Sequence, residues 1–145
     1  MHERKFPLFI IAGRAGGLAL RGDRWPWRAR TLLAFGPDLT VIAPELDPAF
    51  LSLPVRLERR VYRPGELARP FLVLAATSDG DVNRAIAAEA RSKGALANNA
   101  SDCRDCDFFF PAVVLAEEWT AGLTGAGENH RAVKEAAAKI REMAP

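Results

Sequence analysis

Cysteine and histidine are scarce in this sequence: Cys103 and Cys106 are the only cysteines, His2 and His130 the only histidines. Two thiols cannot build a disulfide framework, which points to a reducing compartment. Their C-x-x-C spacing lacks the two further ligands that a closed structural zinc site takes. A redox pair of the thioredoxin kind would open a helix in a different arrangement, so no metal and no thiol chemistry are expected. Long apolar runs are missing as well. None approaches the roughly 18 residues that a membrane-spanning helix requires, and the opening MHERKF carries no signal-peptide pattern. A cytoplasmic protein with no membrane partner is the expectation. An excess of one charge is absent too: 20 Lys and Arg against 18 Asp and Glu leave a formal net charge of +2. That balance gives no footing for nucleic acid, although small anions remain open as ligands. No internal repeat, low-complexity segment or flexible linker interrupts the chain.

What is present is a chain of 145 residues, 49% hydrophobic. It is long enough for one domain with a sizeable core and a short appended element, and too short for two full domains. Over the first hundred residues, extended segments alternate with helical ones, which predicts βαβ units around a parallel sheet and hence the α/β class. Strands are expected at Gly16 to Leu20, Leu39 to Ala43, Val55 to Arg59, Phe71 to Ala75 and Ala95 to Ala97, with a later apolar strand at Phe108 to Leu115. Several are nearly continuous apolar runs, as strands buried on both faces should be. A helix over Pro26 to Phe35 has proline in its first turn and Gly36 past its end. A second, over Asp81 to Lys93, sets Val82, Ile86 and Ala90 on one stripe and closes at Gly94. After Pro111 come a strand-like VVLAEEWTAGLT, a glycine-rich turn at Gly125 to Gly127, and a helix from His130 to Met143 capped by Asn129. The pattern predicts a Rossmann-like domain over residues 1–112 and an appendage over 113–145.

Particular residues go further. FPLFI (Phe6 to Ile10), ARTLLAFG (Ala29 to Gly36), LTVIAPEL (Leu39 to Leu46), LVLAATSDGDVNRAIAAEAR (Leu72 to Arg91) and CDFFFPAVV (Cys106 to Val114) occur in the order in which similar pieces occur in the siroheme synthase N-terminal family. The chain resembles that family over nearly its whole length. The family comprises precorrin-2 dehydrogenases, some of which are also sirohydrochlorin ferrochelatases. The resemblance implies a Rossmann domain that binds NAD, an anionic tetrapyrrole substrate, and a homodimer formed through the 113–145 segment. Many members continue into a helical domain that a chain ending at Pro145 leaves out, which bears on the tetrapyrrole pocket and on any chelatase activity.

The resemblance also assigns residues. At the first strand and turn, where members read like VLVVGGGKVA, Leu20, Arg21 and Gly22 stand at the three glycines and Trp25 at a small residue. Side chains at the first two positions, and the charge of Asp23, work against a pyrophosphate seated on a helix N-terminus. Arg21, Arg24 and Arg28 either supply charge-assisted phosphate contacts or form a solvated basic face with Trp25 and Trp27 packed under the turn. A shifted register would bring Gly16 and Gly17 nearer the bend. The cofactor set implied is Arg21, Gly22, Asp23, Ala43, Pro44, Ala76 and Thr77; for the ribose, the only acids near the second strand's end are Glu45 and Asp47.

Against a family segment like VNVVDDPELCDFIFPA, the catalytic aspartate falls on Ser101 and the next on Asp102. A serine hydroxyl is no unaided base near neutral pH, so Asp102 takes the role if the loop shifts by one residue; otherwise Asp102 and Asp105 belong to a solvated turn. Asn98 matches an asparagine before that loop. Asn98 and Asn129 are the implied substrate contacts, and Asn129 doubles as a helix cap. The expected function is NAD-dependent oxidation of precorrin-2 to sirohydrochlorin. A catalytically degenerate tetrapyrrole- or partner-binding module and a sirohydrochlorin ferrochelatase are the alternatives.

Overall fold

GLALR, Gly17–Arg21, forms the central strand β1 of a five-stranded parallel sheet. The computed structural model describes residues 5, 7–10, 17–21, 26–126 and 129–144. After β1 come α1 (Pro26–Leu33), β2 (Asp38–Ala43), β3 (Arg56–Arg59), β4 (Leu72–Ala75), α2 (Gly80–Ser92) and β5 (Leu96–Asn99). The strand order is β3-β2-β1-β4-β5, with every neighbouring pair parallel. This is the α/β class that the alternation of segments predicts, and β4, buried at all four residues, is the apolar run of a strand covered on both faces.

Helix ends follow local chemistry. Asp79 caps α2 by accepting the N–H groups of Asp81 and Val82, and Gly36 and Gly94 take φ of +68° and +79° just beyond α1 and α2, the left-handed turn that glycine adopts without a steric penalty. On α2 the buried face is Asn83, Ile86, Ala87 and Ala90, the i, i+3, i+4, i+7 stripe of a core-facing helix. Val82, expected on that stripe, is partly buried beside it.

The connection from β3 to β4, residues 60–71, contains no helix. It is fastened to α2 by side chains instead. Glu89 accepts from the Tyr62 hydroxyl, from the backbone N–H groups of Gly65 and Leu67 at 3.0 Å each, and from Lys93 Nζ at 3.0 Å. Lys93 in turn donates to the Gly65 and Leu67 carbonyls. Burial alone would raise the Glu89 pKa, but these donors outweigh it and hold the carboxyl down at about 2.

The β5 edge of the sheet is covered by the segment that follows it. Asp107 N–H donates to the Ala97 carbonyl at 2.8 Å while its carboxylate accepts the Ala97 N–H at 2.9 Å, and Cys106 Sγ accepts the Asn99 N–H. Arg91 of α2 clamps Asp105 and Asp107 from the side. β5 extends beyond the expected Ala97 because the Asn98 and Asn99 side chains find partners: Asn98 donates to the Phe108 carbonyl and Asn99 to the Asp105 carboxylate.

The chain forms two compact units, one within Ile10–Phe108 and the other made by the described residues of Met1–Phe9 and Phe109–Pro145. In the second, β6 (Ala112–Leu115) and β7 (Thr120–Leu123) pair antiparallel, and α3 (His130–Met143) packs on β6. Two expectations are corrected here. VVLAEEWTAGLT is a hairpin turning at Ala116 to Trp119, closed by the Ala116 N–H on the Trp119 carbonyl. The expected strand from Phe108 begins only at Ala112, because the Phe108 carbonyl is taken by a side chain and Pro111 has no N–H to give a ladder. Lys5 anchors the leading segment to this unit through the Gly125 carbonyl and the Phe109 ring.

Candidate functional site

The strand order reverses between β1 and β4, and in open parallel sheets that reversal leaves a crevice at the carboxyl ends of the strands. The strands flanking β1 end in small residues. Ala43 closes β2 and Ala75 closes β4, with Ala76 just beyond, all 2% exposed or less. Pro44 stands exposed just beyond. Of the acids near the end of β2, Asp47 is committed to capping a short 3-10 turn through the Ala49 N–H at 2.8 Å, whereas Glu45 is exposed.

Leu20 and Arg21, which the resemblance sets at two glycines, are ladder residues of β1: Leu20 pairs with Val41 and Leu74, Arg21 with Ile42 and Ala75. The strand therefore runs through both positions to Arg21. Gly17 lies at the opposite end of the strand, against Asp38, which removes the shifted register. Gly22 and Asp23, with Arg24 and Trp25, lie outside the described residues. On α1, Arg28 is no solvated cation: burial holds its pKa below the ordinary value, and its guanidinium sits 5.1 Å from the Trp27 ring. Trp27 itself is 54% exposed rather than packed under the turn.

Beyond β4 the site is organised by a residue that the sequence does not single out. Asn83, fully buried, accepts the Thr77 N–H at 2.9 Å and the Thr77 hydroxyl at 2.7 Å on Oδ1. Its Nδ2 donates to the Thr77 carbonyl at 3.1 Å and to Ser101 Oγ at 2.5 Å. All four hydrogen-bonding positions of the amide are used. Thr77 after β4 and Ser101 after β5, assigned to cofactor and to catalysis, are thus brought together through one side chain. The available signal was a polar residue on the stripe that Ile86, Ala87 and Ala90 define.

The remaining candidates turn elsewhere. Ser101 N–H donates to Asn99 Oδ1 at 2.9 Å. The Asp102 carboxylate caps the short turn Cys103–Asp105 through the Arg104 N–H and pairs with the Arg104 guanidinium at 3.1 Å. Those hydrogen bonds from Arg104 hold its carboxyl below the usual range, making it a weaker proton acceptor. Asp105, bonded first by Asn99 and then by Arg91, is lowered as well. Asn98 is spent on the Phe108 carbonyl. Asn129, in the second unit, caps α3 by accepting the Ala132 N–H at 3.1 Å. Cys106 is tied to both backbone groups of Asn99, and burial pushes its thiol pKa up. Among the described residues, no group of three or more His, Cys, Asp or Glu is placed to hold a metal, and no helix is long and apolar enough to cross a membrane.

Comparison with known proteins gives a consistent picture. Residues 21–112 match the family described as "Putative NAD(P)-binding". The chain is 32% identical over 146 residues to the probable multifunctional siroheme biosynthesis protein HemA of Ruminiclostridium josui, covering 96% of this chain and 28% of that protein. It is 27% identical over 138 residues to the precorrin-2 dehydrogenase of Bacillus subtilis, covering 92% and 80%. Among solved structures, the precorrin-2 dehydrogenase SirC superposes with a TM-score of 0.75 at 17% identity, covering 97% of this chain and 72% of that one. The chain spans less than a third of the length of the first curated relatives it matches.

Proposed function

Because this chain belongs to the NAD(P)-binding family matched over residues 21–112, we propose that it is a precorrin-2 dehydrogenase of siroheme biosynthesis, oxidising precorrin-2 to sirohydrochlorin with NAD. The observation that carries this is the reversal of strand order beside β1, flanked by alanines at the ends of β2 and β4. NAD fits the small residues there: Ala43 and Pro44 stand at the end of β2 and Ala76 and Thr77 just past β4, on either side of β1. When bound, it supplies the acceptor for the hydride that leaves the substrate. The chain's own residues bind and orient. Thr77 is held by Asn83, Asn98 is a ladder residue of β5, and Ser101 follows β5, next to β4, where the anionic tetrapyrrole would lie.

Nucleotide binding belongs to the stretch through residue 112, and pairing with a second copy to 113–145. Leu115 at the end of β6 and Trp119 in the hairpin turn are exposed at 51% and 39%, which supports a homodimer. Acting in this pathway, the protein is cytoplasmic, in keeping with its two free thiols.

A second reading has its own observation: Ser101 is no base and Asp102 is occupied by Arg104, which favours a module that binds the tetrapyrrole without oxidising it. Calorimetric titration with NAD, followed by incubation with precorrin-2 while NADH and sirohydrochlorin are monitored, separates the two. Binding with turnover is expected. Tetrapyrrole binding without NADH selects the module, and absence of any heat at millimolar NAD sinks the dehydrogenase. Size-exclusion chromatography at high concentration should give a dimer; a monomer counts against the pairing.

A further inference from the structure

We propose that Asn83 is a positioning residue that fixes the Ser101 hydroxyl as a hydrogen-bond donor for a carboxylate of the ligand. The inference rests on the reading of this crevice as a tetrapyrrole site. A serine hydroxyl has one proton and two lone pairs, and it ordinarily rotates to suit its neighbours. Here one lone pair is filled by Asn83 Nδ2 at 2.5 Å. That amide cannot flip to present its oxygen instead, because Oδ1 already accepts the Thr77 N–H and hydroxyl and Nδ2 also donates to the Thr77 carbonyl. The Ser101 proton therefore points away from α2.

The backbone of Ser101 is held as well, its N–H bonded to Asn99 Oδ1 at 2.9 Å. Gly80, the first residue of α2, lies beside the hydroxyl: a Cβ there would stand in ordinary contact at 3.7 Å from Ser101 Cβ and 3.8 Å from its Oγ. Arg84 is paired with Asp81 and Arg104 with Asp102. An arriving acid meets a fixed neutral donor rather than a free cation or a base. A donor of this kind does not titrate across the pH range in which carboxylates are ionised, so its contribution to binding is independent of pH above the ligand's own carboxyl range.

The test is the affinity for sirohydrochlorin, read by tryptophan fluorescence, across five proteins: wild type, Ser101→Ala, Asn83→Ala, the double variant, and Ser101→Thr as the rescue. Ser101→Ala should weaken binding about tenfold, the scale of one hydrogen bond to a charged group, while Ser101→Thr retains it. Asn83→Ala should weaken binding similarly in the wild-type background and not at all in the Ser101→Ala background, whereas its effect on folding stability persists in both. That loss of effect on affinity alone is what a purely structural role would not produce. NAD affinity should not change with Ser101→Ala. If wild type binds sirohydrochlorin and Ser101→Ala binds it equally well, the positioning role is overturned and the tetrapyrrole reading stands. If Asn83→Ala fails to fold, Asn83→Asp, which keeps the Oδ1 acceptor for Thr77 and loses the Nδ2 donor to Ser101, takes its place in the cycle. If wild type binds neither sirohydrochlorin nor NAD, the functional reading falls and this inference falls with it.

Discussion

Replacing Glu89 with glutamine should remove a large share of the stability of the sheet unit. The Glu89 carboxylate faces only donors: Oε2 accepts the Tyr62 hydroxyl and the Gly65 N–H, Oε1 the Leu67 N–H and Lys93 Nζ. A glutamine must turn its NH2 group toward one of those pairs. The side chain is only 11% exposed, so solvent does little to relieve the conflict. The size of the effect follows from the acidity. Folding moves the carboxyl from 4.5 to about 2, and each tenfold change in an acidity constant is worth roughly 1.4 kcal/mol, giving about 3 kcal/mol in favour of the ionised side chain. Domains of this kind have about 5–15 kcal/mol in all, so the midpoint of thermal unfolding should fall by about 10 °C. The sign with pH is fixed. The folded pKa lies below the unfolded one, so the contribution is complete above about pH 4.5 and fades as the pH drops toward about 2. Urea denaturation followed by circular dichroism should show Glu89→Gln about 3 kcal/mol below wild type at neutral pH, with the gap shrinking steadily in acid. A gap under about 0.5 kcal/mol at neutral pH, or one unchanged in acid, would refute this account.

Gly94→Ala should cost about 1 kcal/mol in urea denaturation, since φ is +79° with no atom within 4 Å of an added Cβ, leaving backbone strain as the only penalty; an Asn there should cost less, and equal costs would point to packing instead. Asp107→Ala should speed hydrogen exchange at the Ala97 amide, whose acceptor it removes; unchanged protection would mean the β5 edge is covered otherwise. Thiol titration with a chromogenic disulfide at mildly alkaline pH should give one fast phase from exposed Cys103 and one slow phase from Cys106, whose pKa burial raises. Two equally fast thiols would contradict the pinning of Cys106 by Asn99.

The alternation of the first hundred residues, the glycines closing α1 and α2 and the Asn129 cap on α3 were legible because each is written locally. Longer-range decisions were not. The strand was expected to end at Ala97, before the asparagines, since nothing nearby in sequence shows that Asp105 and the Phe108 carbonyl come back to satisfy them. Asn83 was passed over for Val82 because polarity argues against a core position until its four partners are known. The replacement of a family aspartate by Ser101 was visible, but the amide that orients it lies 18 residues away. Likewise nothing in the sequence singles out Glu89, since the Tyr62, Gly65 and Leu67 donors reach it only through the helix-free path of residues 60–71.

The sheet's two borders bear on how copies of this chain meet. One border is sealed by the Cys106 and Asp107 return; the other, β3, is four residues long and presents Arg56 and Arg59 outward, so a neighbour's strand laid against it would bring arginine against arginine. Edge-to-edge addition of one sheet to the next is thereby discouraged at either flank, which leaves the pairing proposed above to the hairpin and its helix.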